Sequence, residues 1–214
     1  MSIIDFGSRR KEILGSCAIK KAPDYRGTLE KLGRGAIDDA IKDFRKIAEE
    51  HPGDPSVFYN LGFALGERGL LAEACEAYTQ ALAIDRSFHN ARYNLALELI
   101  AMGQAAEAER QLKVLLELAP NDADAHFELG RLHESRGALD FALHEYDKVS
   151  RIKPSYRLIH FCRANVLFRL KRYGEALKAC NQELDANPGF EDAKVMMEGV
   201  KAALALMEKK GSLS

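Results

Sequence analysis

The chain has little on which catalysis or membrane insertion could be built. Its four cysteines (Cys17, Cys75, Cys162 and Cys180) show no CxxC spacing and are too sparse for a disulfide framework. They read as reduced thiols of a cytoplasmic protein. No run of about 18 apolar residues occurs, which argues against a membrane-spanning helix. A net charge of −1 leaves no excess of Lys and Arg for phosphates, so nucleic acid is not an expected partner. There is no P-loop, no GxGxxG after a strand, and no strand-forming region to support either. Near the start, SRRKEIL (Ser8–Leu14) and LGSC (Leu14–Cys17) faintly resemble export signals. Such signals need an apolar stretch of roughly 7–15 residues, and Asp5, Arg9, Arg10, Lys11 and Glu12 interrupt it.

What the chain does have is a repeat of 34 residues. Alanine recurs at Ala40, Ala74, Ala108, Ala142 and Ala176, and an aromatic at Tyr25, Tyr59, Tyr93, Phe127 and Phe161. Glycine recurs at Gly35, Gly69, Gly103 and Gly137, with Lys171 in the fifth slot. Proline recurs at Pro52, Pro120, Pro154 and Pro188, with Arg86 in the missing one. Between Val57 and Gly69, Leu61 and Leu65 form an apolar stripe at helical spacing. The glycine can take the left-handed conformation that ends a helix. A second helix follows, with Ala74, Tyr78, Ala81 and Leu82 on one face, and proline closes it in most copies. The unit is helix, tight turn, helix, and its alanine sits where a larger side chain would push the pair apart.

These residues resemble the tetratricopeptide repeats. With the unit counted from Pro55, the family's small eighth residue falls on Gly62, Ala96, Gly130 and Ala164. Its aromatic at the twenty-fourth falls on Phe44, Tyr78, Leu112, Tyr146 and, as a departure, Cys180. The resemblance implies an all-α, right-handed solenoid of five units, at residues 21–54, 55–88, 89–122, 123–156 and 157–190. Residues 1–20 would form an N-terminal arm. Residues 191–214 would supply a capping helix, with Val195, Met196, Val200, Leu204 and Met207 recurring at helical spacing. The fifth unit departs from the pattern at Arg163 and Glu183, which stand at core positions.

No catalytic constellation emerges, so the protein is not expected to be an enzyme. His126 and His160 fall at the same repeat position, where packing between helices is the simpler role, and His133 falls on the buried stripe. A histidine pair without a third ligand at suitable spacing is a weak zinc signal, so no metal or other cofactor is expected. Cys180 occupies a core slot and reads as inert packing.

Function then belongs to a surface. Family members bind ligands on the concave face lined by the first helix of each unit, which implies a protein or peptide partner. The fifth, sixth and ninth positions supply Tyr59, Asn60 and Phe63, then Tyr93, Asn94 and Leu97, then Phe127 and Arg131. The apolar members suggest an exposed strip, which usually marks a binding surface. Two other readings exist: tyrosine is the family's usual residue at the fifth position, and an N-terminal arm folded back would cover the strip. Asn60 and Asn94 resemble the asparagine ladders with which some members hold an extended peptide. An amide side chain offers both a donor and an acceptor to a peptide group. The carboxylate clamp that binds chaperone C-termini lacks its cations here, since its five slots hold Tyr59, Phe63, Asn94, Asp124 and Glu128. A homo-oligomer built through the apolar strip is the alternative to a peptide-binding scaffold.

Overall fold

The computed structural model of the chain describes residues 25–211, and side chains through Lys209. Residues 1–20 of the expected arm lie outside this range. The described residues form eleven α-helices and no strand. They are α1 (Arg26–Gly33), α2 (Ile37–Glu50), α3 (Pro55–Glu67), α4 (Leu71–Ile84), α5 (His89–Ala101) and α6 (Ala105–Leu118). After them come α7 (Ala123–Ser135), α8 (Leu139–Ile152), α9 (Ile159–Arg169), α10 (Tyr173–Ala186) and α11 (Glu191–Gly211). Two compact units result, one ending at Leu118 and the other beginning at Ala119. Within each, every helix packs on the next one in the chain. The architecture is that of an all-α repeat protein.

The turn inside each helix pair has one geometry. Gly35, Gly69, Gly103 and Gly137 take positive φ angles of 73–82°. The amide just after each donates back five residues, as Leu70 N–H does to Leu65 O at 2.9 Å and Gln104 N–H to Leu99 O at 2.8 Å. This bond satisfies a carbonyl that the helix end would otherwise leave unpaired. The fifth pair makes the same bond, Arg172 N–H to Leu167 O at 2.9 Å, but with Lys171 at φ 60° in place of glycine. The second helices end two residues before Pro52, Pro120, Pro154 and Pro188, and α4 ends two residues before Arg86 just the same. Proline reinforces that stop without being required for it.

Packing follows the small residues. Ala40, Ala74, Ala108, Ala142 and Ala176 are all fully buried, as befits positions where helices approach closely. At the eighth position a Cβ added to Gly62 would lie 2.8 Å from the Tyr78 ring, and one added to Gly130 would lie 2.6 Å from the Tyr146 ring. Where the facing residue is Leu112 or Cys180 rather than tyrosine, the eighth position is Ala96 or Ala164. Side-chain volume is thus exchanged across the pair.

In the second unit α11 packs on α10 and α9. It buries Ala193 and Val200 and sets Met196, Met197 and Leu204 against the core. The expected stripe is displaced: Val195 and Met207 are exposed, because the buried face is centred on Ala193 and Val200. No helix among the described residues is long and apolar enough to cross a membrane.

Candidate peptide-binding face

In the first unit, α3 carries Tyr59, Asn60 and Phe63, and α5 carries Tyr93, Asn94 and Leu97. The structure corrects the expectation of an exposed apolar strip. Tyr59, Phe63 and Tyr93 retain only 1%, 4% and 5% of their surface, and Leu97 alone of the four is partly open. For Tyr59 the cause is aromatic packing: its ring lies 5.9 Å from that of Tyr78 and 5.1 Å from that of Phe88, the residue just before α5. In the second unit Phe127 is covered likewise, 5.7 Å from Tyr146 and 5.0 Å from Tyr156. Phe161 meets Phe190 at 5.0 Å, edge to face.

The residues that cover this ladder, Asp54, Phe88, Tyr156 and Phe190, belong to a second 34-residue series that the sequence reading missed, with Asp122 in its remaining slot. Where the member is Asp54, the contact is a hydrogen bond, from Tyr25 OH to Asp54 Oδ2 at 2.5 Å. The same carboxylate caps α3 by accepting from Ser56 N–H at 2.9 Å. A search for aromatic recurrence after the second helix would have found three members of the series.

The asparagines sit deeper than expected. Asn60 is largely buried and Asn94 wholly so. Asn94 Nδ2 donates to Tyr59 OH at 3.3 Å, while its Oδ1 is buried and accepts no hydrogen bond among the described residues. An unsatisfied buried acceptor costs about 1–3 kcal/mol. One turn further along α5, Glu98 is also buried. The tenth repeat position marks it in the sequence, since its counterparts Ala64 and Leu132 are apolar and buried.

Arg131 belongs to the second unit and is not a free cation. Its Nη1 donates to Glu128 Oε2 at 2.9 Å. Burial of Glu128 pushes its carboxyl above the ordinary carboxylate range, against the pull of Arg131. Nearby, His126 is buried, with Nδ1 2.5 Å from Glu145 Oε2 and Nε2 3.0 Å from Pro120 O. It is therefore a polar tie between α7, α8 and the preceding loop, and its packing role is electrostatic. His133 is only partly buried, its ring tilted against that of Phe141 at 5.6 Å, which corrects its expected place on the buried stripe. Among the described residues no three His, Cys, Asp or Glu side chains converge to hold a metal ion. Burial pushes the Cys75 thiol up to about 11 and the Cys162 thiol up to about 12, so neither is an activated nucleophile.

Helix pairs closed by a left-handed turn, with a small residue of the first helix against an aromatic of the second, define a helical-repeat protein. The chain belongs to the tetratricopeptide repeat family, whose sequence profile matches residues 29–87, 93–156 and 142–189. The mouse (Mus musculus) interferon-induced protein with tetratricopeptide repeats 3 is 30% identical over 153 residues, covering 68% of this chain and 38% of the mouse protein. The chain thus spans well under half the length of that relative. Among solved structures, MamA superposes with a TM-score of 0.72 at 23% identity, over 82% of this chain and 99% of MamA. YrrB, a TPR protein with an unusual peptide-binding site, superposes with a TM-score of 0.68 at 20% identity, over 80% of this chain and 88% of YrrB. At such identities the two structures speak to the fold alone.

Proposed function

We propose that the first unit holds an extended segment of a partner protein by its backbone, through Asn60 and Asn94. The tetratricopeptide fold is a scaffold for protein–protein contact, and the family is generally non-catalytic. The observation that carries the finer reading is the buried, unsatisfied Oδ1 of Asn94, held in place by the bond from its own Nδ2 to Tyr59 OH. A peptide N–H delivered to that oxygen recovers the cost of leaving it unpaired. Asn94 has no exposed surface, so the peptide reaches it only by displacing what now lies over it. Binding is therefore coupled to a local opening, and association is slower than for a preformed groove. That YrrB has a peptide-binding site is in keeping with this reading.

The test is selection of binding peptides from a random displayed library on the full chain, followed by calorimetry with Asn94→Leu and Asn60→Leu. The expected result is a roughly tenfold or greater loss of affinity with stability within about 1 kcal/mol of wild type or above it. Equal affinity for wild type and both variants removes the asparagines from the site.

A further inference from the structure

Besides Cys180 and Glu183, the fifth helix pair departs from the other pairs at three positions that gather at one place. Leu61, Leu95 and Leu129 are buried on their first helices, and Arg163 stands at their position on α9. Glycine turns the first four pairs, and Lys171 turns the fifth in a left-handed backbone at φ 60°. Ala36, Leu70 and Ala138 precede their second helices, and Arg172 precedes α10. Each of these three puts a cation where the other pairs have a neutral residue.

Arg163 is too long for the space a leucine fills, and it reaches between α8 and α10. Its Nε donates to Asp147 Oδ1 at 2.7 Å and its Nη1 to Gln182 Oε1 at 3.3 Å. A cleft of about 210 Å³ opens there, its wall including Arg163, Arg172, Glu175 and Lys178. A second cleft of about 450 Å³ shares Arg172, Glu175 and Lys178, and adds Lys171, Leu204 and Met207. Arg172 forks onto Glu175 with two bonds of 2.7 Å, and Arg163 holds Asp147. Four cations thus face two carboxylates, and Lys171 and Lys178 form no ion pair among the described residues. In a chain of net charge −1 this is a local concentration of positive charge. Its neighbour is apolar: Leu204 packs on the core and Met207 is exposed beside it. A non-glycine residue in left-handed backbone is costly at a turn where four other copies use glycine. Such strain concentrates where function requires the side chain.

We infer that these joined clefts dock an acidic segment of a partner protein that also carries a bulky apolar side chain. The apolar side chain covers Leu204 and Met207. The flanking carboxylates meet Lys171 and Lys178 and compete with Glu175 for the fork of Arg172. The apolar half of the site sets this ligand apart from a free phosphate, which would gain nothing from Leu204. The site is independent of the Asn94 reading, and neither result decides the other.

The full chain, followed by its amide NMR spectrum, is titrated with three synthetic peptides of equal length: alternating Glu and Leu, the same with Gln for Glu, and the same with Lys for Glu. The companion variant combines Lys171→Gly, Arg172→Ala and Lys178→Ala, the first two restoring residues used in the fourth pair. The Glu–Leu peptide should shift the amides of 171–178 and 204–207. It should bind at least roughly tenfold more weakly to the variant, and weaken with salt. Helicity of the variant by circular dichroism should equal that of the wild type. Equal binding of the Glu and Gln peptides, an undiminished affinity in the variant, shifts confined to other residues, or no binding at all would each overturn the proposal. So would the same shifts appearing on concentrating the chain alone, which would make a second copy the occupant.

Discussion

Gly130 and Tyr146 divide one volume between them. The missing Cβ of Gly130 is space occupied by the tyrosine ring, which would stand 2.6 Å from it. The ring has no room to retreat, since it is fully buried and its hydroxyl donates to Glu134 Oε2 at 2.8 Å. Gly62 and Tyr78 repeat the relationship in the first unit.

Gly130→Ala should therefore destabilise the second unit by about 1–3 kcal/mol through overpacking, despite alanine's better helix propensity of about 1 kcal/mol. Tyr146→Leu alone should also destabilise, by leaving a cavity. The double variant recreates the Ala96–Leu112 pairing and should be more stable than the sum of the two predicts. Urea unfolding of all four proteins checks this, and simple additivity would show that the two positions do not share their space.

Lys171→Gly should raise stability by up to about 1 kcal/mol. The left-handed conformation costs an L-residue roughly 1–2 kcal/mol, and the greater freedom of glycine in the unfolded chain cancels part of the gain. Thermal unfolding provides the measurement. A fall in melting temperature would mean that the Lys171 side chain stabilises the turn by more than its backbone strain costs.

Asn94→Leu should leave stability within about 1 kcal/mol of wild type or raise it. It removes a buried acceptor that has no partner, at the expense of one 3.3 Å bond to Tyr59. A loss well beyond that, by denaturant unfolding, would indicate that Oδ1 is satisfied in solution and would weaken the peptide-capture reading with it.

Two buried carboxylates should give the second unit opposite pH responses. Burial raises the Glu145 carboxyl, but hydrogen bonds from His126 and Lys148 outweigh it, and its net position is below the ordinary range. A folded-state pKa below the unfolded one means stability present above the unfolded value and lost as pH falls through the folded value. Glu145→Gln should flatten the acid side of the stability profile. Glu128 is raised, so it favours the fold while protonated and ceases to do so as pH rises through its folded value. Glu128→Gln should reduce the decline toward neutral pH. The check is unfolding midpoint against pH for both variants; parallel changes would contradict these assignments.

The helices and turns were legible because their determinants are local. Gly69 and Gly103 mark left-handed turns, and Ala74 and Ala108 mark close approaches, wherever the surrounding residues lie. The accessibility of the face was not legible, because it depends on pairs such as Tyr59 with Phe88, separated by the rest of α3 and the whole of α4. Tyr59 in isolation looks like a groove tyrosine, and only its partner makes it a packed one. Val195 on α11 was misplaced for a related reason: hydrophobic spacing locates a stripe to within a neighbouring row, and contact with α9 and α10 decides which row turns inward. Arg163 stood out from the repeat, but the cleft around it required the positions of Asp147 and Gln182.

The aromatic ladder also fixes the frame in which such a chain can be copied. Tyr59 and Phe88 both lie between Pro55 and Phe88, and Phe127 and Tyr156 both lie in the corresponding later window. A duplication that begins at the first helix and ends just past the loop after the second carries both halves of the contact. One that begins at the second helix separates them and inherits a partner only from whatever follows. A fragment excised in the first frame keeps Tyr59 with Phe88, or Phe127 with Tyr156, whereas one excised in the second ends on a first helix whose ring has lost its cover.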